Sequence, residues 1–202
     1  ICLPSKYLNK SEDYANFYNN QKHKDNVKVF YSEGIHVFID NIHILVDPSF
    51  TSNKDVDYEE LESVRKAARH NADYDDVDLV LVTHAHSDHT DRLNAFKHTR
   101  VPIVCHPMTF DLKERVLAEK TDSETIEDIG TIKKRIAIMP EQTYNYDHLQ
   151  ITAKESGHCG GSIMFYIQGK EGSVLCTGDF NTMPALSQNP ARPIKCDVLI
   201  NE

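Results

Sequence analysis

The 202-residue sequence predicts an α/β sandwich. Three observations predict it. Short runs rich in Val, Ile, Leu and Phe outnumber the helical stretches between them. Two pairs of these runs meet at tight-turn sequences, Asp40-Asn41 and Gly169-Lys170-Glu171-Gly172, which make antiparallel hairpins. One run, VDLVLV (77–82), is continuously apolar, the mark of a strand buried on both faces. Strands that dominate in this way, with helices between, favour a sandwich over a single parallel sheet.

In chain order, residues 1–25 are polar and rich in Asn, Lys and Tyr, and read as a lead-in. VKVFYS (27–32) reads as a strand, followed by the strand pair IHVFID and IHILVD (35–40 and 42–47). YEELESVRKAARH (58–70) has helical spacing, with Leu61, Val64 and Ala68 on one face. After VDLVLV, residues 90–98 suit a short helix, VPIVC (101–105) a strand and TFDLKERVLAEK (109–120) a helix. RIAIM (135–139), HLQITA (148–153), GSIMFYIQ (161–168), SVLCTG (173–178) and DVLIN (197–201) read as strands, and Tyr144, Tyr146 and His148 alternate along another.

A hydrophobic fraction of 40% suffices for a core, and 26% charged residues make a hydrophilic surface. No apolar run approaches the roughly 18 residues that would cross a bilayer, so no membrane partner is expected. The five cysteines are odd in number, scattered and without a CxxC pair, which predicts reduced thiols in an intracellular protein. Cys159 is expected to be a packed core thiol. The net charge of −9, concentrated in DYDDVD (73–78) and TDSETIEDI (121–129), argues against a broad nucleic-acid footprint on this segment. It leaves a nucleic-acid enzyme open, because bound divalent cations invert the local field.

The chemistry concentrates in THAHSDHTD (83–91), directly after the apolar run. Histidine and aspartate are poor strand formers and costly to bury unpaired, so packing alone does not account for them. His84, His86, Asp88 and His89 offer imidazole and carboxylate donors without thiolate, a set that suits Zn²⁺, Mn²⁺ or Fe²⁺ in an open, catalytic site. Three more strand ends carry the same residue types: Asp47 after ILV, His158 in the glycine-rich turn ESGHCGGS, and Asp179 in LCTGDF. His70, His98 and His106 have no partner spacing and read as surface or capping residues.

In order and spacing, Asp47, the H-x-H-x-D-H of 84–89, His158 and Asp179 resemble the first four motifs of the metallo-β-lactamase superfamily, over most of the chain from about Val27. The resemblance implies an αββα sandwich whose ligands line one edge and bind two divalent metals, most readily zinc, with manganese or iron as alternatives. One metal would take His84, His86 and His158. The other would take Asp88, His89 and Asp179, with Asp179 bridging. Asp47 would orient a ligand histidine, and Asp88 would also steer the attacking hydroxide. GHCGGSIMFYIQGKEGSVLCTGDF (157–180) and the ending PIKCDVLINE (193–202) are similar to β-CASP nucleases of the Artemis-like DNA-repair and RNA 3′-end-processing branch, with Gly160 where those carry proline.

Residues 26–202 are accordingly expected to be the N-terminal part of such a domain, the sandwich being incomplete at its C-terminus. The chain opens on Ile1 and so reads as a fragment. The superfamily's last histidine ligand and the β-CASP cap have no counterpart before Glu202, and activity is expected to require them. The expected reaction is metal-dependent hydrolysis of DNA or RNA phosphodiesters by a hydroxide activated between the two metals. A small-molecule lactonase, thioesterase or phosphodiesterase is the alternative, supported by ILVDPSF (44–50) and the acidic charge. A non-catalytic scaffold is disfavoured, because none of the six ligand positions is substituted.

Overall fold

A computed structural model describes residues 27–31, 34–49, 77–96, 99–119, 132–183 and 188–201. The helix expected at 58–70, most of both acidic runs and the lead-in lie outside these residues. The chain forms two sheets. The first contains β1 (Val27–Tyr31), β2 (Ile35–Ile39), β3 (Ile42–Val46), β4 (Leu79–Val82), β5 (Ile103–Cys105) and β6 (Arg135–Ala137), in that spatial order. The second contains β7 (Thr143–Tyr146), β8 (Leu149–Glu155), β9 (Ile163–Gln168), β10 (Ser173–Cys176) and β11 (Val198–Ile200), ordered β11-β10-β9-β8-β7. Among the described residues the one α-helix, α1, spans Pro107–Glu119.

The hairpin at Asp40-Asn41 forms as the sequence predicts. Both residues take positive φ, 52° and 65°, which lets two central residues turn an antiparallel pair with the right twist. From β3 to β6 every pairing is parallel. These four strands therefore end at one edge of the sheet, as parallel strands must. In the second sheet β8 and β10 both run antiparallel to the β9 between them, so they share a direction and deliver their C-terminal ends together.

The core lies between the sheets. Ile44, Val46, Leu79 and Leu81 from the first pack against Leu149, Ile151, Phe165 and Ile167 from the second. Alternate residues of the same strands, Leu45, Val80, Val82 and Ile103, face the other way and pack with Leu93, Phe96 and Phe110. This double burial explains why 77–82 reads as a continuous apolar run. Of the short helix expected over 90–98, the described residues 90–96 form a 3₁₀ turn, Leu93–Phe96, and not an α-helix, while 97 and 98 lie outside the described residues. The helical layer thus covers the first sheet. The outer face of the second carries Gln150, Lys154 and Gln168, with no helix over it among the described residues. Cys105 and Cys176 are fully buried, and burial pushes their thiols up from the usual range. Cys159 differs from expectation: it is only half-buried, because its turn reaches the surface. Among the described residues no helix is long and apolar enough to cross a membrane.

Candidate metal centre

Strand directions bring the titratable residues to one edge. Asp47 follows β3, Thr83 and His84 follow β4, and His106 follows β5, all at the C-terminal ends of parallel strands. Facing them, His158 lies between β8 and β9, and Asp179 lies three residues beyond β10. The backbone N–H of Ile163 donates to the carbonyl of Thr83 at 2.9 Å, so the sheets are joined at this edge. The turn after His84 closes as a single 3₁₀ turn, Ser87–His89, which returns His89 towards the strand ends. Ring centroids of His84 and His89 are 4.1 Å apart.

His84, His86, His158 and Asp179 each place one donor atom within 4.8 Å of all the others. His84 Nε2 and His86 Nδ1 are 2.9 Å apart, and His158 Nε2 is 3.3 Å from the same His86 nitrogen. Asp179 Oδ2 lies 3.2 Å from His158 Nε2 and 3.9 Å from His84 Nε2. Its other oxygen, Oδ1, lies 3.9 Å from His89 Nε2. Asp88 Oδ2 is also 3.9 Å from that nitrogen, on a side chain 78% exposed. Asp179 thus reaches both a tight group of three imidazoles and a looser His89–Asp88 pair.

Behind the histidines, Asp47 fixes which ring nitrogens face outward. It leaves β3 with a positive φ of 50°, tolerable for aspartate, and is almost fully buried. Its Oδ1 accepts from the Thr83 backbone N–H at 2.7 Å, and its Oδ2 accepts from the Thr83 hydroxyl at 2.7 Å. Asp47 Oδ2 also accepts from His89 Nδ1 at 3.0 Å. With its own proton given to Asp47, the Thr83 hydroxyl accepts from His84 Nδ1 at 3.0 Å. On a neutral ring this pairing puts the proton on Nδ1 and leaves Nε2 as the acceptor facing the cluster. Burial, followed by the charges of His89, His86 and His158, lowers the His84 pKa to about 2, so this ring stays neutral.

Three imidazoles and a carboxylate converge here within reach of one divalent cation. The nitrogen and oxygen donors, free of thiolate, fit that role. Two glycines make the cluster possible. A Cβ on Gly178 (φ 49°) would stand 2.4 Å from Thr83 Oγ1, and one on Gly157 (φ 73°) would stand 2.5 Å from the Asn181 carbonyl oxygen. Neither Thr83 nor Gly178 is marked out by its sequence. The local signal is the TGD tripeptide, and its meaning depends on a strand from the other sheet. His106 caps α1 as expected, accepting the Met108 N–H on Nδ1 at 3.1 Å, and it also lines a cleft beside the cluster.

Comparison with known proteins agrees with this architecture. Mouse 5′ exonuclease Apollo is 30% identical over 113 residues, covering 56% of this chain and 20% of its own length. Chicken 5′ exonuclease Apollo is 33% identical over 113 residues, covering 56% and 22%. Human protein artemis is 29% identical over 116 residues, covering 49% and 16%. The chain therefore spans about a fifth of the length of these curated relatives. Among solved structures, the subclass B3 metallo-β-lactamase MEM-A1 from a soil metagenome superposes with a TM-score of 0.53 at 18% identity, covering 88% of this chain and 76% of that one. A putative metallo-β-lactamase from Thermotoga maritima gives 0.51 at 19% identity, covering 76% and 78%. The family described as beta-lactamase superfamily domain matches residues 43–202, and the chain belongs to this metallo-β-lactamase superfamily.

Proposed function

We propose that this chain is the hydrolytic part of a metal-dependent nuclease that cleaves phosphodiester bonds of DNA or RNA. The observation that carries the reading is the divided carboxylate of Asp179, one oxygen near His158 and His84, the other near His89. That division suits two adjacent divalent cations, most readily zinc, with His84, His86 and His158 around one and Asp88 and His89 around the other. The similarity to Apollo and artemis supports phosphodiesters as the substrate class.

Bound at these residues, two divalent cations would supply Lewis acidity and make hydroxide available near neutral pH. The chain's own groups do the rest. Asp47 and Thr83 hold His89 and His84 in the tautomer that leaves Nε2 unprotonated. Asp88, exposed at the rim 3.9 Å from His89 Nε2, would steer the attacking hydroxide as well as hold metal. A small-molecule ester or lactone is the competing substrate, favoured by the net charge of −9.

The test is cleavage of end-labelled single-stranded DNA and RNA with Zn²⁺ or Mn²⁺, beside an Asp88→Asn control. Cleavage by the intact protein, lowered on the order of a hundredfold in the control, is the expected result. Chain that holds two metals, leaves both polymers intact and hydrolyses a lactone or thioester would overturn the nuclease reading.

A further inference from the structure

Beside the donor cluster, on the far side of the turn that carries His158, lies a cleft of about 420 Å³. Its walls are His106, Met108, Met139, Glu155, Gln188 and Asn189. The 157–162 turn is the partition between cleft and cluster. His158 faces His86 and Asp179 on one side, while Gly161 and Ser162 line the cleft on the other. Gly161 is needed at this wall: a Cβ there would stand 2.9 Å from Met108 Cβ and 3.2 Å from His106 Nδ1. The volume lies within the roughly 300–1,000 Å³ of small-ligand sites.

The lining chemistry is specific. Met108 and Met139 are 44% and 45% exposed, unusually open for thioethers, and offer soft, polarizable contact to a flat ring. Glu155 stands at the end of β8 with Oε1 accepting from Asn189 Nδ2 at 3.1 Å, which steadies the carboxylate and leaves Oε2 for further N–H donors. His106 receives the Met108 N–H on Nδ1, so its neutral ring carries the proton on Nε2 as a donor. A carboxylate repels phosphate, so the cleft is not a second anion site. A carboxylate beside imidazole and amide donors matches an edge with adjacent N–H donors next to a carbonyl oxygen. Among nucleobases this is guanine, through N1–H, N2–H and O6.

We propose that this cleft receives a guanine base next to the scissile phosphate, with Glu155 accepting from its N–H edge and the two methionines packing on its face. The proposal rests on the nuclease reading, and its test separates the two. The first arm titrates the chain with guanosine, thymidine and inorganic phosphate, followed by saturation-transfer NMR. Guanosine carries no phosphate and does not need the metal donors. Guanosine should bind at least about tenfold more tightly than thymidine, survive excess phosphate, and weaken about tenfold in Glu155→Ala. The second arm measures kcat/KM for oligonucleotides that differ only in the bases flanking the cleaved bond. The guanine preference should be about tenfold and should fall to near unity in Glu155→Ala.

Displacement of guanosine by phosphate, equal binding of thymidine, or cleavage indifferent to both flanking base and Glu155→Ala would overturn the base pocket while leaving the nuclease standing. Guanosine binding that depends on Glu155, in a chain that cleaves no polynucleotide, would keep a guanine site and overturn its place beside a scissile phosphate.

Discussion

The two ends of β3 carry the same residue in the same backbone conformation and put it to different uses. Asp40 precedes the strand with φ 52°, and Asp47 follows it with φ 50°. Each carboxylate is almost fully buried and joins the two sheets or the elements beside them. Asp40 accepts from the backbone N–H groups of Lys170 and Glu171, at 2.6 and 2.9 Å, and lies 3.2 Å from His148 Nε2. It pins the β9–β10 turn against the β2–β3 turn, and the groups it gathers are spent on one another. Asp47 gathers Thr83 and His89 in the same way, but the histidines it organises turn their other nitrogens towards the cluster of His86, His158 and Asp179. A buried aspartate network that closes on itself is a clasp. One that turns ring nitrogens towards a common point is a candidate binding site.

Three substitutions break or sharpen this contrast. The largest effect is expected from Asp47→Asn. The amide can accept from Thr83 or from His89 but presents an N–H where a second acceptor is needed, so the His89 tautomer is no longer fixed. Divalent-metal affinity, read by competition with a chromophoric chelator, should fall about 10- to 100-fold. Next is Gly178→Ala. The added methyl collides with Thr83 Oγ1, and the positive φ opposes a side chain. Both effects together should cost about 1–3 kcal/mol in urea unfolding and weaken metal binding, because Thr83 holds Asp47 and His84. Retained affinity in this variant would show that Thr83 does not transmit position to the donors. The smallest functional effect belongs to Asp40→Ala. It should cost about 0.5–1.5 kcal/mol of stability through the lost hydrogen bonds, the exposed N–H groups being taken up by water, with metal affinity unchanged within error. A metal defect in Asp40→Ala would show the two ends of β3 to be coupled and would erase the distinction drawn between them.

Much of the centre was legible in sequence because its parts are local or sit at recognisable strand ends. The H-x-H-x-D-H run places four titratable residues on one turn whatever the rest of the fold does. The glycine-flanked His158 and Asp179 mark turns at the ends of apolar runs. The elements were legible for the same reason, since alternation and turn residues act within a few positions. Residues 90–98 were less so. Their spacing suits a helix, yet the chain must lay Leu93 and Phe96 onto the first sheet over a short span, and it does so as a 3₁₀ turn.

What the sequence alone determined, then, is the inventory: an α/β sandwich, six metal-type donors at strand ends, and a buried central strand leading into them. The tertiary structure decided how those side chains are arranged. Thr83 became a hydrogen-bonded bridge between Asp47 and His84 only because Gly178, from the opposite sheet and 95 positions away in the chain, leaves room for it. His106, Glu155 and Asn189 met around one cleft only because β5 and β8 end at the same edge of two different sheets. Hydrogen bonds and van der Waals contact act over a few ångströms, so a residue's neighbours along the chain predict its element, whereas its neighbours across the sandwich, fixed by sheet packing, predict its chemistry.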